Sequence, residues 1–206
     1  SEEGVVALDQ TWAAPLPLDP DTLRETALSA ARHLVHNMSP TGRYTYVVDG
    51  PSGHRQGGYN YPRHAGGTWF LARVATRTGD PEILAAAQRG MQFLADHTER
   101  TLDGRMYVLD PDRDDGKAWV GTTALALLAA TEMGFDPNLQ AGYAAWIASS
   151  VDGEGDIRGD MDRATGEWPE QPAITYGQGQ GLLALVAAER AGVPGVTEAL
   201  DRSAAR

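Results

Sequence analysis

The chain has 206 residues, of which 42% are hydrophobic, so it can bury the core of a single domain and is not a disordered tail. Its net charge of −11 lacks the basic face that nucleic acids and anionic membranes require, and no apolar run approaches the ~20 residues that span a bilayer. With no cysteine, disulfides, cysteine-ligated metal centres and thiol nucleophiles are excluded; an extracytoplasmic location is compatible with this, and localisation stays unknown.

In chain order, residues 1–20 are predicted to be an extended N-terminal segment, and residues 21–206 a single helical domain. Amphipathic helices are predicted where apolar residues recur at helical spacing, in residues 21–38, 81–100, 139–149 and 196–206. Between them lie three Ala/Leu-rich segments that are apolar nearly all round, and these predict buried helices after Gly66, Gly121 and Gly179. Short extended stretches at 44–48 and 106–109 follow glycine turns and are predicted to form small β-hairpins.

The buried segments form a repeat with a period of about 55 residues. In each, a second glycine follows the first by 13 residues, and a proline comes two or three residues later. We expect the second glycine to end the helix in a left-handed conformation and the proline to begin the next helix. The predicted repeats are 21–79, 80–134 and 135–192, with a partial fourth at 193–206. The predicted fold is therefore all-α, with tandem helical hairpins forming an incomplete (α/α) toroid or solenoid; the alternative is an ordinary helical bundle.

Two motifs carry a resemblance to known proteins. The segment Tyr176-Gly-Gln-Gly-Gln-Gly-Leu-Leu-Ala-Leu-Val186 is similar to an inner helix of glucuronyl C5-epimerases. The segment Tyr59-Asn-Tyr-Pro-Arg-His-Ala-Gly-Gly-Thr68 resembles the N-x-x-R-H-A-G start of uncharacterised bacterial toroid proteins. Residues 21–206 thus resemble the (α/α) toroid proteins, which include six-hairpin glycosidases and sugar epimerases. The resemblance implies a carbohydrate-active protein, in the first place a hydrolase, lyase or epimerase. Its substrate would be a neutral or anionic sugar or polysaccharide.

Such toroids close with more hairpins than the three and a partial fourth found here. We therefore expect a ring that stays open, is completed by self-association or a further chain, or belongs to a longer precursor. A non-catalytic helical-repeat binding module is the second hypothesis. Converging carboxylates in a deep pocket favour the enzyme, whereas a carboxylate-free groove favours the binding module.

The loops that enter the inner helices share one face of a toroid, and they carry most candidate ligand contacts. Sugar rings stack on aromatic side chains and bond to polar groups. We predict a substrate-binding set of Tyr59, Asn60, Tyr61, Trp119, Trp168, Tyr176, Gln178 and Gln180. The alternatives are that the aromatic residues cap the core and that the two glutamines cap a helix start.

Four residues are catalytic candidates. Arg63 lies at a helix N-terminus, where a cation needs an anionic partner, either a structural carboxylate or a carboxylate or phosphate of a ligand. His64 is a candidate proton shuttle, and the alternative is a hydrogen-bonded core histidine. Glu167 and Glu170 flank an aromatic residue and are candidates for acid–base chemistry on a glycosidic bond; the alternative is a solvated acidic loop.

The acidic segment around Asp110 allows three interpretations. Asp110, Asp112 and Asp114 have the spacing that begins a calcium loop, although Gly116 comes one place late and no glutamate stands at the twelfth position. Asp112-Arg-Asp114-Asp115 also matches the D-x-D-D acid of class II terpene cyclases. A solvated acidic turn is the third interpretation. Apart from calcium, no cofactor is predicted.

Overall fold

The computed structural model describes residues 18–54, 57–170 and 175–205, so most of the predicted N-terminal segment lies outside the described residues. The described part of the chain is mostly helical, as predicted. Its helices are α1 (Pro20–His36), α2 (Tyr61–Thr78), α3 (Pro81–Asp96), α4 (Val120–Met133), α5 (Pro137–Ala148), α6 (Thr175–Arg190) and α7 (Thr197–Ala204). Its strands are β1 (Thr98–Arg100), β2 (Met106–Val108), β3 (Lys117–Trp119) and β4 (Asp160–Asp162). None of these helices is both long and apolar enough to cross a membrane.

Local capping explains where the helices begin and end. Helices α1, α3 and α5 each start with a proline, and the side chain of the aspartate before it accepts backbone N–H groups of the first turn. The predicted left-handed glycines are confirmed, with φ of 70° at Gly79, 65° at Gly134 and 77° at Gly192. The expectation that Pro194 begins a helix was wrong, because α7 starts only at Thr197 after a further turn at Gly195.

The helices of the three Ala/Leu-rich segments pack side by side. Helix α4 lies between α2 and α6, while α3 contacts α2 and α4, α5 contacts α4 and α6, and α7 contacts α6. Helix α1 packs against α2 and α3. Helix α4 is therefore the centre of the core and buries nine of its residues, Val120 and Ala124 among them.

Two helices are buried to a different extent from the one predicted. Helix α6 was predicted to be buried nearly all round, yet Leu182 and Leu183 are 40% and 47% exposed. Leu183 lines a surface cavity between α2, α4 and α6, so the packing of α6 against α4 leaves it accessible. Helix α5 was predicted to be amphipathic, yet it buries Tyr143 and Trp146 completely. Strand β2 and the loop that carries Trp168 pack over α5, and they account for this burial.

The short strands connect the loops and add buried side chains to the helical core, those of β2 above all. Strands β1 and β2 are an antiparallel hairpin, which confirms the predicted hairpin near residue 106. The stretch at 44–48 forms no strand, and Tyr44 makes only an isolated bridge to Met38. Strand β3 pairs with β4 and so joins the loop before α4 to the loop before α6.

Helices α1, α3 and α5, with α7, are the outer helices, and α2, α4 and α6 are the inner ones. Three glycine turns follow α1, α3 and α5, at Gly42, Gly104 and Gly155, with φ between 83° and 91°. Two of them touch the backbone of the next outer helix. A Cβ at Gly42 would lie 2.1 Å from the carbonyl oxygen of Arg89 in α3, and one at Gly155 would lie 2.4 Å from that of Arg202 in α7. At Gly104 the nearest atom, from a side chain, is 3.9 Å away, so that turn needs glycine for its backbone conformation alone.

Candidate functional site

A cavity of about 400 Å³ opens where α2, α4 and α6 begin, and we name it the loop-face cavity. Five residues of the predicted site line it: Asn60, Arg63, Trp119, Tyr176 and Gln180. The rest of its described lining is Pro62, Arg113, Gly121, Thr122, Gly159 and Gly177. The pairing of β3 with β4 brings the loops before α4 and α6 together at this cavity.

The beginning of α2 places Arg63 on the wall of the cavity. The side chain of Asn60 caps this helix, since its Oδ1 accepts the backbone N–H of Arg63 at 2.9 Å. The guanidinium of Arg63 donates to the hydroxyl of Tyr46 and lies 5.5 Å from the centre of that ring. No carboxylate of the described residues forms an ion pair with Arg63, so the structural carboxylate considered from the sequence is not found among them.

Arg113 is a second cation on the wall, and the sequence analysis did not select it. Its guanidinium lies 4.2 Å from the centre of the Trp119 ring, and its Nε donates to the Asp115 carboxylate at 3.1 Å. The indole N–H of Trp119 donates to the same carboxylate at 3.1 Å. Asp115 therefore holds Arg113 and Trp119 in place together, and Trp119 acts as a platform for the arginine. The feature of the sequence that could have identified Arg113 is its position as the one basic residue inside the acidic Asp112–Asp115 motif.

Helix α6 supplies the opposite side of the cavity. Tyr176 is 66% exposed, so its ring is available for stacking. The Gln180 amide approaches α4 so closely that a Cβ at Gly121 would lie 2.5 Å from its Oε1, which is the close approach expected of that glycine. At Gly66 and Gly179 there is no comparable contact. Gln178 lies outside the described lining, and its Nε2 donates to Asp156 at 2.7 Å.

His64 is in the core beside the cavity and is 2% exposed. Its Nε2 lies 2.8 Å from the carbonyl oxygen of Gly90 and must be the protonated nitrogen, so its Nδ1 accepts from the Tyr59 hydroxyl at 2.7 Å. Burial lowers the pKa of His64 to about 4; the Gly90 hydrogen bond opposes this, and the charge of His97 adds to it. The ring is thus neutral near pH 7, and the geometry is that of the hydrogen-bonded core histidine.

Three predicted aromatic contacts also lie in packed surroundings. Tyr59 and Tyr61 pack edge to face with ring centres 5.5 Å apart, and burial raises the pKa of each hydroxyl to about 12. The Trp168 ring packs on Trp146, with 5.0 Å between their centres. In the described lining of the loop-face cavity, the aromatic residues are therefore Trp119 and Tyr176.

The predicted acid–base pair is apart from the cavity. Glu167 and Glu170 are exposed on the loop that follows β4, and neither belongs to the described lining. Their catalytic role stays a prediction.

Of the aspartates considered for calcium, Asp110 makes a local hydrogen bond. The Asp110 carboxylate accepts the backbone N–H of Asp112 at 3.2 Å, and burial raises its pKa. Among residues 18–54, 57–170 and 175–205, no three His, Cys, Asp or Glu side chains are grouped so as to hold a metal ion. Calcium binding and the D-x-D-D chemistry of Asp112–Asp115 both stay predictions.

The cavity is electropositive within an acidic protein. The N-termini of α2, α4 and α6 lie at it, and Arg63 and Arg113 line it, with the charge of Arg113 partly offset by Asp115. Its described lining contains no carboxylate, although the whole chain carries a net charge of −11. This arrangement is suited to binding an anion.

No model of a known protein family matches the chain, and no curated protein matches it.

Proposed function

We propose that the loop-face cavity binds an acidic sugar, such as a uronic acid unit of a polysaccharide. The observation that carries this proposal is the pair Arg63 and Arg113 at converging helix N-termini, with no carboxylate in the described lining. Arg63 forms no ion pair with a carboxylate of the described residues, which favours a ligand that brings its own negative charge. Arg113 is paired with Asp115 through its Nε and has further N–H groups that such a ligand can share.

The other groups in the cavity suit the remainder of a sugar. The exposed ring of Tyr176 offers a flat surface for the C–H face of a pyranose, and the Gln180 amide can both donate to and accept from hydroxyl groups. The first backbone N–H groups of α4, at Gly121 and Thr122, add donors for the carboxylate. A single carboxylate can therefore be bound by fixed dipoles as well as by two guanidinium groups.

The proposal is one of binding rather than catalysis. Glycosidic chemistry by acid and base needs two carboxyl groups beside the scissile bond, and the described lining has none. The non-catalytic binding module is thus the form of the carbohydrate hypothesis that the geometry favours.

We also propose that the helices are part of an (α/α) toroid or solenoid. The contacts of α2 with α4 and of α4 with α6, each pair accompanied by an outer helix, support this arrangement. The exposed leucines of α6 are compatible with a further helix or a second copy packing there, so self-association belongs to the same proposal.

Isothermal titration calorimetry with trigalacturonate and its neutral galactose counterpart tests the binding function. Arg63→Ala and Arg113→Ala each remove a charge-assisted contact, so each should weaken trigalacturonate binding about 10- to 150-fold, with little effect on the neutral sugar. Arg32→Ala is the matched control, because Arg32 is exposed on α1 and lines no described cavity. If the wild-type chain does not prefer the acidic sugar, the proposal is wrong.

A further inference from the structure

A second cavity of about 250 Å³ adjoins the loop-face cavity, and we name it the tyrosine cavity. The two cavities share Asn60 and Arg63 in their linings, so they meet at the beginning of α2. The tyrosine cavity lies between α1, the loop that follows it and α2. Its described lining includes Leu34, Tyr44, Tyr46, Tyr59 and Gly67.

The walls of this cavity are aromatic and held firmly. The Tyr59 hydroxyl donates to His64 Nδ1 and accepts the backbone N–H of Tyr44 at 2.9 Å. The Tyr44 hydroxyl bonds to Thr68 at 3.2 Å. Because these hydroxyl groups are bonded within the core, the two rings are fixed surfaces, a preorganised arrangement that costs little entropy when a ligand binds.

Tyr46 links the two cavities. It is half-buried, its hydroxyl accepts from the Arg63 guanidinium, and its ring packs edge to face with Tyr59 at 6.0 Å. The hydroxyl accepts from Arg63, so its own proton is directed elsewhere and can be donated to an acceptor. The remaining N–H groups of Arg63 stay available on the side of the loop-face cavity.

No carboxylate occurs in the described lining of the tyrosine cavity, and Gly67 leaves its floor on α2 without a side chain. A Cβ at Gly67 would be in ordinary van der Waals contact with Tyr44 and Leu34, at 3.8 and 3.9 Å. The space above this glycine is thus lined by tyrosine rings and is open at the end that carries Arg63. These are properties of a site for a second sugar ring rather than for a bare ion.

We propose that the tyrosine cavity is a second subsite, so that the ligand is an acidic oligosaccharide of at least two units that crosses Arg63. This inference rests on the proposed function. One unit occupies the loop-face cavity with its carboxylate on Arg63 and Arg113, and its neighbour packs against the tyrosines. Arg63 lies at the junction and can bond to both units.

The experiment compares galacturonic acid, digalacturonate and trigalacturonate in calorimetric titrations of the whole chain. The ratio of disaccharide to monosaccharide affinity is the readout, because it isolates what the second sugar unit adds to binding. We expect this ratio to be about ten or more in the wild-type chain. Gly67→Leu fills the tyrosine cavity and should bring the ratio close to one, with the monosaccharide affinity unchanged.

Gly66→Ala is the control for substitution in this helix, since Gly66 is the neighbouring residue and lines neither cavity. Tyr46→Ala removes the aromatic wall without adding volume, and it tests the same ratio if Gly67→Leu does not fold, as judged by circular dichroism. A wild-type ratio near one overturns the second subsite but leaves the proposed function standing. A ratio that persists in folded Gly67→Leu also overturns it, and failure of all three uronates to bind refutes the proposed function itself.

Discussion

Protonation of His64 should destabilise the folded protein, and this distinguishes a core histidine from a proton shuttle. The ring is 2% exposed, and burial lowers its pKa from 6.5 to about 4. The unfolded chain therefore binds the proton more tightly than the folded chain. The resulting loss of stability is absent above about pH 7, begins as the pH falls through 6.5 and is complete below about pH 4.

The size of the effect follows from the shift in pKa. One unit of pKa corresponds to about 1.4 kcal/mol, so His64 should lower the free energy of unfolding by about 3 kcal/mol between pH 7 and pH 4. The carboxylates with lowered pKa, Asp103 among them, begin to contribute only at the acidic end of this range. The effect of His64 is isolated by comparison with His64→Gln, which cannot titrate and whose amide can still donate to the carbonyl of Gly90.

Two measurements test this prediction. Urea unfolding of the wild-type chain and of His64→Gln at several pH values should show a steeper loss of stability in the wild type, by about 3 kcal/mol over the range. NMR titration of the five histidine rings should show one that stays neutral to below pH 5, and this signal should be missing from His64→Gln. A His64 signal that titrates near pH 6.5 would refute the argument and restore this residue as a candidate proton shuttle.

Three further substitutions test the fold and the site. Gly104→Ala should lower the free energy of unfolding by about 1–2 kcal/mol, and Gly42→Ala by clearly more, because only a Cβ at Gly42 meets a backbone carbonyl oxygen of α3. Equal losses of stability in urea unfolding would contradict that contact. Asp115 lies outside the described lining but bonds to the Arg113 guanidinium and the Trp119 indole, so Asp115→Ala should weaken trigalacturonate binding several-fold in calorimetry. Unchanged affinity would mean that this carboxylate does not position the two side chains. In thermal unfolding, Leu185→Ala should lower the stability by about 2–5 kcal/mol and Leu183→Ala by well under half as much, because only Leu185 is buried. A similar loss for both variants would mean that α6 is covered on both faces.

The sequence alone was sufficient to predict the helices and the positions of most of their ends. A helix ends where a glycine adopts a left-handed conformation and begins where an aspartate caps it before a proline, and both effects involve only neighbouring residues. Of the predicted site residues, Asn60, Arg63, Trp119, Tyr176 and Gln180 line one cavity at the beginnings of the three inner helices, and their roles as ligand contacts stay predictions.

The tertiary structure decided which helix faces are buried and which residues line the candidate site. Helix α5 was expected to be amphipathic and α6 to be apolar nearly all round, yet α5 is covered by β2 and a loop while α6 keeps exposed leucines. Burial therefore depends on which elements pack nearby as well as on the residues of the helix itself. Arg113 and Arg63 line one cavity because α4 packs beside α2 and so places the loop before α4 next to the beginning of α2. His64 is next to Arg63 in the chain but points into the core, since adjacent residues on a helix face directions about 100° apart.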